Sequence, residues 1–249
     1  MAKKYKALLL DLDDTVVPMN TDNLSPKVQQ AINRLAQKVP VCIVTGRRIE
    51  SAMKVIKHLG VDTLCIGCNG AVIYDLKQKK ILAQHVLDKA RVKQVWDLVS
   101  QDKKRNCWVH TVRKNDDAIF FDGAHEDLYL MHFTQLTFED VELLRKRLHT
   151  VPNITTHLNT KTYDGDPVLD VYDIHASKQQ AISYVLQYFK IAAEDIVAAG
   201  DGENDIPMIL AAGMGVAMGN AAEGLKSVAD WTAPSVHEDG VVKVIEKYF

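Results

Sequence analysis

Cysteine is scarce: four residues, at 42, 65, 68 and 107, in a chain of 249. They are too few and too irregular to staple a disulfide framework. Cys65 and Cys68 form a C-x-x-C, but a structural zinc needs four ligands and no second pair exists. No thioredoxin-like context surrounds the pair, so buried packing is its expected role. Long hydrophobic runs are missing as well. The apolar stretch behind the basic start Met1-Ala2-Lys3-Lys4-Tyr5 breaks at Asp11 after a few residues, which excludes a signal h-region or a membrane span and makes a cytoplasmic location the expectation. Nor is there an excess of one charge. The formal net charge is −2 with the basic residues dispersed, so no electrostatic footprint for nucleic acid or an acidic membrane exists. Repeats and low-complexity segments are absent too, and no feature specifies an oligomeric state. What remains is 47% hydrophobic and 25% charged, an ordinary globular composition with room for one large domain or two modest ones.

The chain is organised around Leu8-Leu9-Leu10-Asp11-Leu12-Asp13-Asp14-Thr15. An apolar run of the kind found in buried parallel strands ends in three carboxylates within four positions. A D-x-D alone is often only a polar turn closing a strand. Crowded acids repel one another unless a cation or a protonated partner is present, so the alternative is a metal site or a nucleophile with an acid beside it. The pattern then recurs. Ser25-Pro26 is a helix start, with Ser25 the expected N-cap and Pro26 at the first helical position, and Val28, Ala31, Ile32 and Leu35 carry a helix over roughly 26–38. The apolar run from Val39 to Val44 ends in Thr45-Gly46-Arg47. Ile49, Ala52, Met53 and Ile56 predict a helix stopped by Gly60, and Thr63 to Ile66 a third strand ending at Asn69-Gly70. Alternation of this kind predicts a doubly wound, Rossmann-like parallel sheet with helices on both faces and ligands outside the carboxyl ends of its strands.

From about Ile81 the texture changes. Ile81–Leu87, Cys107–Val112, Ala118–Phe121, Ile154–Leu158 and Val168–Val171 read as strands. Lys89–Lys103 and Phe138–Leu148 read as helices, the second with Val141, Leu144, Arg145 and Leu148 on one face. Short turns such as Lys114-Asn115-Asp116-Asp117 predict antiparallel pairing. The expected division is therefore a parallel-sheet core at 1–83 and 173–249 with an α+β insertion at 84–172. The parallel pattern resumes at Ser177-Lys178 with a helix through Phe189. A buried strand, Ile196–Ala199, follows and ends in Gly200-Asp201-Gly202-Glu203-Asn204-Asp205. Beyond it come a helix at Ile206–Ala212, a strand at Gly215–Met218, and helices at Ala221–Ala229 and Gly240–Phe249.

Polar groups thus fall at corresponding ends of one sheet: Asp11 with Asp13, Thr45, Lys178, and Asp201 with Asp205, with Gly46, Gly200 and Gly202 permitting close backbone approach. Several carboxylates against one lysine leave surplus negative charge, which a hard divalent cation would neutralise; magnesium, which takes one or two carboxylates together with water and phosphate, is the natural candidate. Gly213-Met214-Gly215 through Gly219 is a dinucleotide loop only at a glance, since it lies between a helix and a strand, the reverse of the fingerprint. The histidines, among them His85, His110, His125, His132 and His157, show no ligand spacing. Arg113, Lys114 and Lys161 read as solvated turn residues.

Taken in order, Asp11-Leu12-Asp13-Asp14-Thr15, Val44-Thr45-Gly46-Arg47, Lys178, and Gly200-Asp201-Gly202-Glu203-Asn204-Asp205 resemble the haloacid dehalogenase superfamily, and more narrowly its Cof-type phosphatases of subfamily IIB. Cys68-Asn69-Gly70-Ala71, the run Ala212 to Ala221 and Glu238-Asp239-Gly240-Val241 extend the likeness over both flanks. The insertion has the place and texture of that subfamily's mobile cap. The resemblance implies a magnesium-dependent phosphatase of small phosphorylated metabolites, such as sugar phosphates or pyridoxal phosphate. Asp11 would be the nucleophile that forms an aspartyl phosphate, and Asp13 the general acid and then base. Thr45, Gly46 and Asn204 would bind substrate, and Lys178 would offset charge on Asp11 and the phosphoryl group. Asp11, the carbonyl of Asp13, Asp201 and Asp205 would hold the metal. Many relatives carry glycine where Asp14 stands, and a turn role is expected for it. Asn69 is expected to make a turn with Gly70 while keeping some access to the site. Asp13 weighs against a dehalogenase, and the lack of membrane spans against an ion pump. A phosphomutase is the catalytic alternative; a non-catalytic phosphate-binding module is the other, opposed by the presence of Asp13 and Lys178.

Overall fold

The computed structural model describes residues 5–19, 21–99, 107–111, 119–121, 127–159 and 166–249. It divides into two compact units, Met1–Ala83 with Ser177–Phe249, and Gln84–Ala176.

The first unit is built on an eight-stranded sheet in the order β13-β12-β11-β1-β2-β3-β4-β5. Its centre is β1 (Ala7–Leu10), flanked in parallel by β11 (Ile196–Gly200) and β2 (Val41–Val44). All three strands are buried at every position, as the unbroken apolar runs require of strands covered on both faces. β3 (Leu64–Gly67) continues the parallel set on one side, and β12 (Met214–Ala217) with β13 (Trp231–Thr232) on the other. The chain therefore leaves β1 in one direction and returns in the other, so the β1/β11 junction is the switch point where such sheets bind ligands. Register sets the level of the strand ends: Leu10 pairs with both Ala199 and Ile43, which brings Asp11 level with Gly200 and Val44.

The helices follow their apolar spacing, with differences of detail. α1 (Pro26–Ala36) buries Val28, Ile32 and Leu35. Ser25 precedes it, but its side chain makes no capping bond; Pro26 already removes one orphan donor and presets φ. α2 (Ile49–Ile56) ends at Lys57, short of Gly60, which serves the following turn at φ +68°. The strand expected at Ile81–Leu87, across the boundary with the insertion, is instead β5 (Lys80–Gln84), the outer strand of this sheet. It lies beyond an unforeseen β4 (Val72–Asp75) that runs antiparallel to β3. A short edge strand with no fully buried position reads the same in either sheet, and only pairing decides its place. The helix expected over Ala221–Ala229 is the single turn Glu223–Lys226.

The second unit is α+β, as expected: a five-stranded sheet ordered β7-β6-β8-β10-β9, in which every pairing of known direction is antiparallel. β6 is Cys107–Thr111, β7 Ile119–Phe120, β8 Leu128–Phe133, β9 Ile154–Asn159 and β10 Val168–Asp173. The sequence reading passed over β8. Cys107, Val109, Met131, Phe133, Leu169 and Val171 pack with Val92 and Val95 of α3 (Lys89–Leu98) and with Val141, Leu144 and Leu148 of α4 (Phe138–Leu148). Asp88 caps α3, and Thr137 with Asp140 forms a capping box on α4. Arg145, expected on the buried face of α4, is exposed, since its charged head takes solvent beside the apolar stripe. The turn Lys114–Asp117, together with Arg113, His125 and Lys161, lies outside the described residues.

Candidate active site

Register and one helix start bring the expected groups to the switch point. Asp11 leaves β1 with its amide donating to the Ala199 carbonyl at 3.0 Å. Lys178 is the first residue of α5 (Lys178–Phe189), and Ser177 caps that helix by accepting from the Gln180 amide. The capped turn aims the Lys178 ammonium at two carboxylates, donating to Asp11 Oδ1 and Asp205 Oδ1 at 2.6 Å each. Asp205 follows β11, and its other oxygen, Oδ2, accepts from the amides of Asp201 and Gly202 at 3.0 Å. Gly200 makes this possible: a Cβ there would stand 2.4 Å from the Asp205 carboxyl carbon.

Charge does not balance in this cluster. Asp11, Asp201, Asp205 and Lys178 are all buried, Lys178 to 2% exposure, so three carboxylates face one ammonium away from water. Burial, opposed by Lys178 and reinforced by Asp205 and Asp201, pushes the Asp11 carboxyl well above its ordinary range. Burial alone would lower Lys178, but the neighbouring carboxylates of Asp11 and Asp205 outweigh it and hold the ammonium above its ordinary value. Asp11, Asp201 and Asp205 each present a carboxylate oxygen, all within 4.8 Å of one another. Three hard oxygen donors with surplus negative charge fit magnesium. Both oxygens of Asp205 already accept hydrogen bonds, from Lys178 and from the amides of Asp201 and Gly202.

Thr45 is fully buried just past β2, where its Oγ1 accepts from the Arg47 amide at 3.0 Å. That contact uses an acceptor site and leaves the hydroxyl proton to donate elsewhere. Asn204 does not join the acidic cluster; its Nδ2 donates to Asn69 Oδ1 at 3.0 Å. Asn69 adopts the expected turn, left-handed at φ +54°, and its Oδ1 is the acceptor in the bond from Asn204. A Cβ on Gly46 would lie 3.3 Å from Asn69 Oδ1, so glycine leaves room for that bridge.

Asp13 is not one of the three clustered carboxylates and is held by an arginine instead. Arg47 grips both of its carboxylate oxygens, from Nε at 2.9 Å and from a terminal nitrogen at 2.6 Å. Sequence reasoning assigned Arg47 no role, although its place two residues after Thr45 was in view. Asp14 takes the turn role: it sits at φ +54°, and its Oδ1 accepts from the Met19 amide at 2.8 Å. Left-handed backbone is the region glycine enters without cost, and aspartate is among the few other residues that tolerate it. Cys42, Cys65, Cys68 and Cys107 are buried thiols outside any disulfide, the first pushed up to about 11 by burial and therefore inert at neutral pH.

A family model described as haloacid dehalogenase-like hydrolase matches residues 8–132 and 113–245. This chain belongs to that family. The haloacid dehalogenase-like hydrolase is 27% identical over 246 residues to the 5-amino-6-(5-phospho-D-ribitylamino)uracil phosphatase YcsE of Bacillus subtilis (strain 168), covering 98% of this chain and 95% of the relative. It is 28% identical over 243 residues to a phosphoglycolate phosphatase of Methanobrevibacter smithii, covering 97% of each. A solved haloacid dehalogenase-like hydrolase from Bacteroides thetaiotaomicron shares the fold at a TM-score of 0.80 and 22% identity, over 99% of this chain and 100% of that one. A solved subclass IIB sugar phosphatase shares it at a TM-score of 0.76 and 23% identity, over 97% and 98%. The resemblance read from the motifs and the enzyme class, a phosphomonoester hydrolase, both hold. Among the described residues no helix is long and apolar enough to cross a membrane.

Proposed function

We propose that this haloacid dehalogenase-like hydrolase is a magnesium-dependent phosphatase of small alkyl phosphomonoesters that works through an aspartyl phosphate on Asp11. The observation that carries the reading is the buried Lys178 ammonium bridging Asp11 and Asp205 beside a third carboxylate, Asp201. Asp11 Oδ attacks phosphorus as the bond to the leaving oxygen breaks, and Asp13 delivers its carboxyl proton to that oxygen. In the second half Asp13, now a carboxylate, takes a proton from the attacking water as the Asp11–phosphorus bond breaks. The Thr45 hydroxyl donates to a phosphoryl oxygen, and Lys178 follows the charge that shifts between Asp11 and the phosphoryl group. Asp11, the Asp13 carbonyl and Asp201 would hold magnesium, with Asp205 behind them; when bound, the ion offsets the surplus charge and polarises the phosphoryl oxygens. The inserted segment 84–172 is assigned as the substrate-selecting cap. Relatives named for phosphoglycolate and for a phosphoribityl compound support a small alkyl phosphate as substrate.

The test is hydrolysis of p-nitrophenyl phosphate with magnesium and with a chelator, by wild type and by Asp11→Asn. Metal-dependent turnover that falls by about 10^4-fold or more in the variant is the expected result. Turnover that survives the substitution would overturn the covalent mechanism.

A further inference from the structure

Arg47 is the most fully engaged polar side chain near the site that the mechanism above leaves unused. Its guanidinium forms a fork over Asp13, Nε to Oδ2 and a terminal nitrogen to Oδ1. The same terminal nitrogen donates to the Thr21 carbonyl at 2.8 Å, and the other to Asp22 Oδ1 at 2.7 Å. The backbone is tied as firmly: the amide donates to Thr45 Oγ1 at 3.0 Å, and the carbonyl accepts from the Cys68 amide at 2.8 Å. One residue therefore joins the hydroxyl at the end of β2 to the carboxylate beyond β1.

The direction of these bonds separates two roles. An arginine that served to attract a phosphate would keep its donors aimed at the ligand. Here Nε and both terminal nitrogens donate to protein oxygens, and the side chain is largely shielded, at 14% exposure. A planar fork on a carboxylate sets its position and its plane together, which a point charge does not do. Asp13 turns about two side-chain torsions, and a displacement of roughly 1 Å at a reacting group costs up to about 10^2-fold in rate.

We propose that Arg47 is a positioning residue that sets the Asp13 carboxyl for proton transfer to the leaving oxygen. The proposal rests on the reading of Asp13 as the acid–base group, and leaving-group dependence tests both. Alkoxide is a poor leaving group and needs the proton; p-nitrophenolate leaves without it. The quantity to read is kcat/KM, which reports the steps up to formation of the aspartyl phosphate.

Arg47→Ala is expected to lower kcat/KM for glycerol 3-phosphate by about 10^2-fold, with a much smaller fall for p-nitrophenyl phosphate. Asp13→Asn should show the same preference with a loss between about 10^2- and 10^4-fold on the alkyl ester. Arg47→Lys, which keeps the charge and loses the fork, should not restore the alkyl rate. Arg47→Gln is the second variant, for use if circular dichroism shows Arg47→Ala to be unfolded. Equal falls on both esters, or rescue by lysine, would show a phosphate-attracting charge and overturn the proposal while the role of Asp13 stands. If Asp13→Asn itself discriminates between neither ester, the acid–base reading is what fails, and the positioning role goes with it.

Discussion

Each unit holds a buried cluster of carboxylate and cation, and the two differ in balance. In the core, three carboxylates share one lysine, and Asp11 is pushed well above its ordinary range by burial and by its acidic neighbours. In the insertion, Asp170 lies opposite both His132 and His157 in the strand register. Its oxygens pair with His132 Nδ1 and with the Tyr172 hydroxyl, the latter at 3.0 Å. Burial raises this carboxyl too, but His132 outweighs it and Asp170 ends below its ordinary value. His132 is lowered by burial and raised more by Asp170, so it ends above its own. A cluster that neutralises itself holds strands together. One left with surplus charge is arranged for something that arrives from outside.

The comparison breaks most visibly at Lys178. Lys178→Met takes from Asp11 and Asp205 the ammonium that bridges them and is expected to destabilise the protein by roughly 3–5 kcal/mol, the cost of removing one partner of a buried pair. Urea unfolding measures the loss, and turnover should vanish with it. If stability stays within experimental error of wild type, the surplus is not real. Magnesium should then act in the opposite sense. At 100 times its dissociation constant it should stabilise the wild type by about 2.7 kcal/mol through mass action alone. Asp201→Asn should remove most of that gain in a thermal melt, and an undiminished shift would place the ion elsewhere.

The smallest effect belongs to the balanced cluster and depends on pH. His132 binds its proton more tightly in the folded state, so its contribution is complete below 6.5 and fades as pH rises through the higher folded value. Asp170 is depressed, so its contribution is present above 3.8 and lost as pH falls through the lower folded value. Stability from this pair is therefore greatest between 3.8 and 6.5. His132→Asn should cost roughly 1.5 kcal/mol at pH 5, the worth of a hydrogen bond to a charged group, and less at pH 8. Amide exchange in β8 and β10 reads the difference, and a cost that does not change with pH would deny the ion pair.

Much of the core was legible because a parallel strand buried on both faces must be apolar throughout and can turn polar only where it ends. Leu8 to Leu10, Val41 to Val44 and Ile196 to Ala199 announce themselves in this way, and with them the places of Asp11, Thr45 and Asp201. The insertion gave weaker signals. β8, Leu-Tyr-Leu-Met-His-Phe, mixes apolar and polar residues, and its partners lie far along the chain. The edge strand at Lys80–Gln84 is exposed or half-buried at every position, so its residues carry no mark of the sheet it joins.

Composition and periodicity by themselves determined the α/β class, the interruption by an α+β segment, and the set of polar residues at the carboxyl ends of the central strands. Only the tertiary structure decided the partners within that set: Lys178 between Asp11 and Asp205, Asn204 on Asn69, and Asp13 in the fork of an arginine 34 residues away. The physical reason is that burial is a property of each residue and leaves a periodic trace along the chain. A hydrogen bond belongs to two atoms, and its direction is set by sheet register and helix placement, which local patterns do not record.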